Sequence, residues 1–504
     1  MNLGKDSSAF LSKRDFLSVL FLILIAVAIF YPVFYTEYLY TDESVQLWLY
    51  KEGSGFQMFI TQGRYITEKL FRVLFSRATT VHDLIYIRLF SFLGWLICIP
   101  IWYFIIKKIV TKERLPALLI VSSVVYLICT PPFSICVRWA SCLELFIANT
   151  AGLLSGYILY ASIDVESEKI GKRLVAITGS AVLGLISLFT YQNGFGCFLL
   201  PFLLHLVSRP NRLRKIFIGI AISLCIYVLY YVLFKLNLRA HDIEAVERTK
   251  ISINIFSKIR FFFRPLATAF HFTALFNEKS LIGFIIYVLT FFAWICADFY
   301  ESRALPLANR VKTLILTIFL LIVIYLPSLI VKENYFSNRT LLALNMAVFF
   351  LCANMLLTAI KMGETRTTVI AILSFGFVLN ARYNFIQEFL NPVKTEYQKV
   401  RASIEKNYNR AITTVYFIRP HEDFFVKKYG ITRSWDEFGV PSNFFDWVPE
   451  FFTKQVIFEK TRNRKIAENL IVKHWLGHEE YDKAAASVSS NTLVVDVEQI
   501  LNHE

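Results

Sequence analysis

Charge is spread unevenly along this 504-residue chain: Lys, Arg, Asp and Glu gather in clusters, and between the clusters run stretches of roughly 18–22 residues with almost none. A helix needs about 20 apolar residues to cross ~30 Å of hydrocarbon. Lipid offers the backbone no hydrogen-bonding partner, so such runs must be helical. The pattern predicts about eleven spans, near residues 16–36, 84–106, 115–136, 140–161, 174–190, 194–208, 216–236, 281–299, 313–331, 341–360 and 367–386. The first follows Lys13 and Arg14, as a signal peptide would. It ends in Tyr31-Pro32 and aromatic residues, not in a small-residue cleavage site, which predicts a retained helix. A break at Gln192-Asn193-Gly194 sets off a short sixth span.

The basic residues predict an orientation. With the N-terminus in the cytoplasm, the short cytoplasmic loops carry Lys107, Lys108, Lys112 and Arg114, then Lys169, Lys172 and Arg173, then Arg209, Arg212, Arg214 and Lys215. Arg303, Arg310 and Lys312 follow, then Lys361 and Arg366, whereas the short loops of the other face carry only Arg138, Lys332 and Arg339. This bias predicts a cytoplasmic N-terminus, and an odd span count puts the tail outside, in the periplasm if the membrane is a bacterial inner membrane.

Three long polar segments then face outward: residues 37–83, 237–280 and the tail. In the second, Ile255, Phe256, Ile259, Phe262 and Phe263 recur beside Lys258, Arg260 and Arg264, the pattern of an amphipathic helix lying in the interface. The tail holds strand-like runs at Thr413–Ile418 and Thr492–Val497. The expected architecture is an all-α polytopic membrane domain over residues 1–389, followed by a small α/β periplasmic domain over 390–504.

Composition agrees. The chain is 56% hydrophobic and 18% charged, against about 45–50% and 25% in soluble domains. The net charge of +15 is explained by loop topology, so no nucleic-acid partner is expected. The eight Cys lie in or beside apolar runs, where they read as small hydrophobes and not as disulfides or metal ligands.

Candidate chemistry collects at the outer ends of the spans. The first outer loop opens on Thr41-Asp42-Glu43, with Gln46 and Trp48, and continues to Gly63-Arg64-Tyr65. At the same level stand Arg138-Trp139, Glu144, Tyr191-Gln192-Asn193, Lys332-Glu333-Asn334 and Asn338-Arg339. Ionisable groups at span ends on one side indicate a site more than scattered loop charge. The order of an apolar first span, an acidic pair, a Gly-Arg element and a Tyr-Gln element resembles the bacterial and phage O-antigen glucosyltransferases of the GT-C superfamily, over roughly residues 15–390. The acidic pair is Asp-Glu here, where Asp-Asp is common in that family.

The resemblance implies an inverting glycosyltransferase that moves a hexose, glucose in that family, from polyprenyl phosphate to a surface saccharide such as an O-antigen intermediate. It implies no cofactor, and a divalent cation is not indicated. An acceptor hydroxyl needs a base, which makes Asp42 and Glu43 the catalytic candidates, Asp42 as the base and Glu43 as its helper, positioning the acceptor or a cation. The departing phosphate gathers charge, which suits Arg339, Lys332, Arg138 and Arg64, with Arg339 first. Tyr65, Tyr191, Gln192 and Glu333 complete the expected binding residues. A transporter or flippase for a lipid-linked saccharide is the alternative, but it would place charged or helix-breaking residues near mid-membrane, where these spans are mostly clean.

Other features read plainly. His474 and His478 have two-His spacing on an expected helix but lack the intervening Glu of a zinc-protease motif. Gly194-Phe195-Gly196 reads as a close-packing element. Asp436 and Glu437, in Trp435-Asp436-Glu437-Phe438-Gly439, read as turn chemistry and not as glycan contacts.

The orientation is checked with reporter fusions after Lys215 and after Glu504. The first should report cytoplasm and the second periplasm; matching signals from both contradict the layout.

Overall fold

The structure is a computed structural model and describes residues 12–49, 56–163, 170–209, 212–244, 246–252, 254–272, 281–301, 306–360, 362–431, 437–484 and 489–503. Lys169, Arg303 and Lys361 of the basic loops, and Trp435 and Asp436 of the tail, lie outside these residues.

The chain is a helical polytopic membrane protein with a small α/β unit at its C-terminal end. Helix α1 (Lys13–Phe30) is followed by three helices of the first long polar segment, α2 (Asp42–Leu49), α3 (Gln57–Thr61) and α4 (Tyr65–Phe75). Then come α5 (Leu84–Glu113), α6 (Leu118–Cys129), α7 (Pro131–Arg138), α8 (Leu145–Ser162), α9 (Ile170–Thr190), α10 (Leu200–Ser208) and α11 (Arg214–Ala240). The second long polar segment forms α12 (Ile255–Phe270), and the remaining membrane helices are α13 (Leu281–Glu301), α14 (Leu307–Ile324), α15 (Leu326–Ile330), α16 (Leu342–Ala359) and α17 (Gly363–Tyr383). Among the described residues, eight helices are long and apolar enough to cross a membrane, nine if the bent pair α6–α7 counts as one span.

Each expected span coincides with helix, and the departures have local causes. Thr130 precedes Pro131-Pro132 and adopts ψ 146°, so the third span bends by 48°. Proline removes an N–H and pushes the preceding residue out of the helical region. The short sixth span opens as an eight-residue 3-10 helix, Gln192–Leu199, before the nine residues of α10. At about 2.0 and 1.5 Å per residue these reach ~30 Å together. The 3-10 stretch is buried against α8, α14 and α16. A Cβ on Gly196 would overlap the Ile324 carbonyl oxygen and sit 2.9 Å from the Ala343 Cβ, so close packing is the physical use of that glycine.

Side chains such as Phe16, Leu24, Val175, Val228, Phe284 and Phe375 are exposed on their helices, as lipid-facing positions must be. Helix α12 exposes Ile255, Phe256, Ile259 and Phe263 while burying Phe262. Its Lys258 Nζ donates to Asn334 Oδ1 at 2.6 Å, which lays the helix across the 331–335 loop.

The last span does not stop at residue 389. It passes through a π-helical turn, Asn384–Leu390, directly into α18 (Asn391–Asn407), so one 45-residue helix, Gly363–Asn407, carries the chain from the membrane unit into the tail. There, β1 (Thr414–Arg419), α19 (Phe424–Tyr429), α20 (Val448–Thr461), α21 (Arg464–Glu468), β2 (Ile471–Leu476), α22 (Gly477–Ala484), β3 (Thr492–Asp496) and α23 (Val497–Asn502) follow. The three strands are parallel, with β1 in the centre of the order β2-β1-β3. Strand β2 was not legible in the sequence, and it corrects one expectation. His474 lies on β2 and His478 on α22, so the pair does not share a helix.

Gly196→Val should lower the melting temperature of the detergent-solubilised protein sharply, because the 3-10 stretch cannot move away from both α14 and α16. Gly171→Ala, with nothing within 4 Å of the added methyl, should leave it equal or slightly higher. Equal melting of Gly196→Val and wild type would contradict this packing.

Candidate active site

The site is built from the start of α2. Thr41 has φ 42°, a left-handed conformation that β-branched residues rarely adopt. Two interactions hold it: its N–H donates to Ser442 Oγ at 3.1 Å, and the neighbouring Tyr40 N–H donates to Glu43 Oε2 at 2.8 Å. Glu43 therefore caps its own helix by reaching back to the Tyr40 N–H.

The same carboxylate receives much more. Arg88 of α5 donates to Oε2 at 2.5 Å, and the Ala140 N–H donates to Oε1 at 2.7 Å. Arg88 also donates to the Tyr38 carbonyl at 3.0 Å, and its guanidinium lies 3.6 Å over the Tyr38 ring. Both side chains are wholly buried. Burial pushes the Glu43 carboxyl up from its ordinary value, against the pull of Arg88 and the two backbone N–H groups. With donors on both oxygens and no exposure, Glu43 is a brace and is not aimed at substrate. The acidic pair expected to act together is thus divided.

Asp42 points the other way, into a cavity of about 1020 Å³. Of the expected residues, Asp42, Arg64, Tyr191, Gln192, Glu333 and Arg339 line this cavity. Trp447, from the tail, donates its Nε1 proton to Asp42 Oδ1 at 3.0 Å.

Arg64 enters through a turn at Gly63, whose φ of 75° suits glycine, and a side chain there would meet the Tyr230 hydroxyl. Its Nε donates to Gln192 Oε1 at 3.3 Å, and its guanidinium lies 4.4 Å from the Tyr191 ring centre. Gln192 donates in turn to the Gln62 carbonyl at 2.7 Å and the Tyr230 hydroxyl at 2.8 Å, which fixes its amide. Burial pushes the Tyr191 phenol up, so it stays neutral beneath the two arginines.

Arg339 reaches the cavity from a single 3-10 turn, Asn338–Thr340. Glu437 of the tail caps that turn: it accepts from Ser337 Oγ at 2.6 Å, from the Asn338 N–H at 2.9 Å and from the Arg339 N–H at 3.3 Å. The Arg339 guanidinium contacts the Tyr335 hydroxyl and Cys142 Sγ, and its Nε lies 3.8 Å from Glu437 Oε1. Glu144 is buried at the start of α8 and interacts electrostatically with both Arg64 and Arg339.

The remaining expected residues lie elsewhere. Arg138 is buried between the rings of Phe389 (4.0 Å) and Phe438 (3.7 Å), and it donates to the Glu437 carbonyl. It joins the tail to the membrane unit. Lys332 is exposed and paired with Glu247 at 2.9 Å, which ties two outer loops together. Tyr65 packs on Phe189 and donates to the Phe234 carbonyl at 3.4 Å, its phenol pushed up to about 12 by burial. None of the three lines the cavity.

Sequence reasoning missed Arg88, Glu437 and Trp447 as site components. Arg88 had a signal, a single charge inside an otherwise apolar span. The two tail residues had none, because their roles depend on contacts with residues about 100 and 405 positions away.

The opposite wall of the cavity is apolar. Leu224, Val228 and Tyr231 of α11, a helix long and apolar enough to cross a membrane, line it as exposed side chains, Val228 by 64%. Among the described residues no group of three or more His, Cys, Asp or Glu is arranged to hold a metal ion.

No family model and no curated protein matches this sequence. Among solved structures, it is similar to the Archaeoglobus fulgidus oligosaccharyltransferase crystallised with zinc and sulfate, at 12% identity and a TM-score of 0.41 over 78% of this chain and 56% of that one. It is also similar to the oligosaccharyltransferase AglB of that organism in complex with an inhibitory peptide and a dolichol-phosphate, at 10% identity and a TM-score of 0.42 over 80% and 59%. The chain thus spans less than two thirds of the length of these proteins. Likeness of this degree carries nothing about side-chain chemistry.

Glu43→Gln or Arg88→Met leaves one buried charge unpaired, which should cost ~3–5 kcal/mol of stability. Asp42→Asn should melt as wild type does. A Glu43→Gln protein with unchanged melting would remove the brace from this account.

Proposed function

We propose that the protein is an integral-membrane glycosyltransferase that moves a hexose from polyprenyl phosphate to a saccharide acceptor at the outer face of a bacterial inner membrane. The observation that carries this reading is the composition of one cavity. Two carboxylates (Asp42 and Glu333), two guanidiniums and an apolar wall from the membrane-length helix α11 meet in a space of about 1020 Å³. Each part corresponds to one demand of the reaction.

A lipid-linked donor must keep its chain in the bilayer while its sugar reaches water. The exposed α11 side chains offer the chain a route into the cavity without leaving an apolar surface. The donor phosphate needs cations, and Arg339 and Arg64 stand at the inner end; planar guanidiniums suit a phosphate through paired N–H donors.

The acceptor hydroxyl attacks the anomeric carbon from the side opposite the phosphate. The new C–O bond forms as the anomeric carbon–phosphate oxygen bond breaks. The bonding pair leaves with the phosphate, and the hydroxyl proton passes to Asp42. One displacement of this kind inverts the anomeric centre. Asp42 suits the proton: its carboxylate lines the cavity, and the Trp447 N–H fixes the group's direction. Arg339, held by Glu437 through the backbone of its own turn, stabilises the charge gathering on the phosphate. Hexose identity and an O-antigen acceptor follow the family resemblance; the periplasmic placement of the tail follows the charge bias of the loops and the odd span count.

The test uses purified protein in lipid nanodiscs with a radiolabelled polyprenyl-phosphate glucose and a saccharide acceptor. Asp42→Asn should slow transfer by about 10²-fold or more, with donor binding little changed. Arg339→Ala should slow transfer by a similar order, whereas Lys332→Ala, outside the cavity, should transfer at nearly the wild-type rate. Wild-type rates in both Asp42→Asn and Arg339→Ala would overturn the reading.

A further inference from the structure

The mouth of the cavity next to Asp42 carries an aromatic surface that the transfer chemistry does not by itself require. Phe445 and Trp447 both line the cavity, their rings stacked with centroids 4.8 Å apart and planes 30° apart. Trp447 remains 45% exposed, although its indole N–H is fixed on Asp42.

The segment that presents them is held from three sides. The Ser442 and Asn443 N–H groups donate to the buried Glu396 carboxylate of α18 at 2.9 and 3.0 Å. Ser442 Oγ donates to the Leu39 carbonyl at 3.3 Å and accepts from the Thr41 N–H. Arg419 of β1 donates to the Phe444 carbonyl at 2.7 Å. A half-exposed indole on so constrained a segment is presented to solvent in a fixed orientation, and a binding surface gains from that because little freedom remains to be lost.

The chemistry of the surroundings selects an occupant. A flat aromatic face favours a flat array of C–H groups, and polar side chains line the same cavity: Asp42, on the Trp447 N–H, and Gln46, whose Oε1 accepts from Ser141 Oγ at 2.7 Å. A pyranose ring has both features, an apolar face of axial C–H bonds and a rim of hydroxyls. A second lipid chain would leave these polar groups without partners. We infer that Phe445 and Trp447 form a platform on which a pyranose of the acceptor stacks, with its attacking hydroxyl directed to Asp42. This names the acceptor class of the transferase reading above and rests on it only for the word acceptor.

Binding can be measured without turnover. Saturation-transfer NMR on the full-length protein in nanodiscs, with methyl α-D-glucopyranoside, methyl α-L-rhamnopyranoside and methyl N-acetyl-β-D-glucosaminide as probes, reads which sugar protons face the protein. Wild type should enhance the protons of one ring face of at least one probe. Trp447→Phe keeps an aromatic ring and should keep that pattern. Trp447→Leu should weaken binding by about three- to tenfold, the scale of one aromatic contact. Phe445→Leu, which undercuts the stack from behind, gives an independent comparison should Trp447→Leu fail to fold.

No enhancement with wild type, or enhancement in both Trp447→Leu and Phe445→Leu equal to that of wild type, would overturn the platform. Its failure is distinguishable from that of the transferase reading. Ring-dependent pyranoside binding without hexose transfer leaves the platform standing and removes the reaction. Transfer with an acceptor KM unchanged in Trp447→Leu does the reverse.

Discussion

The arrangement depends on one buried carboxylate. Glu43 cannot lie in an apolar interior unless its charge is matched, and the chain matches it with Arg88 and with the backbone N–H groups of Tyr40 and Ala140. These donors come from three separate stretches: the end of the first outer strand of chain, the second span and the turn between the third and fourth spans. Satisfying one charge therefore brings the three together and fixes the direction in which α2 sets out. Asp42, one residue earlier on that helix, is turned toward the cavity as a consequence. The same geometry that makes Glu43 unsuitable as a base makes Asp42 available.

The tail repeats the device twice. Glu437 gathers a hydroxyl and two backbone N–H groups around the turn that carries Arg339, and Glu396 gathers the backbone of Ser442 and Asn443. Acceptor-only carboxylates are thus used to order backbone, in places where hydrophobic contact alone would not specify orientation. The cavity is consequently shared between two units. The membrane unit provides the apolar wall of α11 and, from the segment after the first span, the guanidinium of Arg64; the tail provides Trp447 and the carboxylate that holds Arg339. On the proposed reading this division has a use, because a lipid-borne donor and a soluble acceptor approach from different sides. The continuous helix Gly363–Asn407 keeps the two sides in a fixed relation.

Most of the fold was legible because membrane insertion is governed by local rules. Apolar length gave each span, Pro131-Pro132 stood at the position of the bend, and Thr413–Ile418 and Thr492–Val497 matched two of the three strands. Strand β2, Ile471–Leu476, was not legible, since its mixed pattern is imposed by its place at the edge of a parallel sheet. Nor was the unbroken helix across residue 389, since a drop in hydropathy marks the edge of the membrane and not the end of a helix. In the site, Asp42, Arg64, Tyr191, Gln192, Glu333 and Arg339 share one cavity as their common outer level suggested. Which carboxylate was brace and which faced the cavity could not be read from adjacent letters. That distinction arises from Arg88 and Ala140, far along the chain.

The most direct measurement is a structure by electron cryo-microscopy of the protein with a non-transferable phosphonate analogue of polyprenyl-phosphate glucose. The account predicts the phosphonate within hydrogen-bonding distance, about 3 Å, of the Arg339 guanidinium. It also predicts the prenyl chain along Leu224 and Val228, and the sugar between the phosphonate and Asp42. A phosphonate bound instead at Lys332, or a sugar whose anomeric carbon faces away from Asp42, would contradict it.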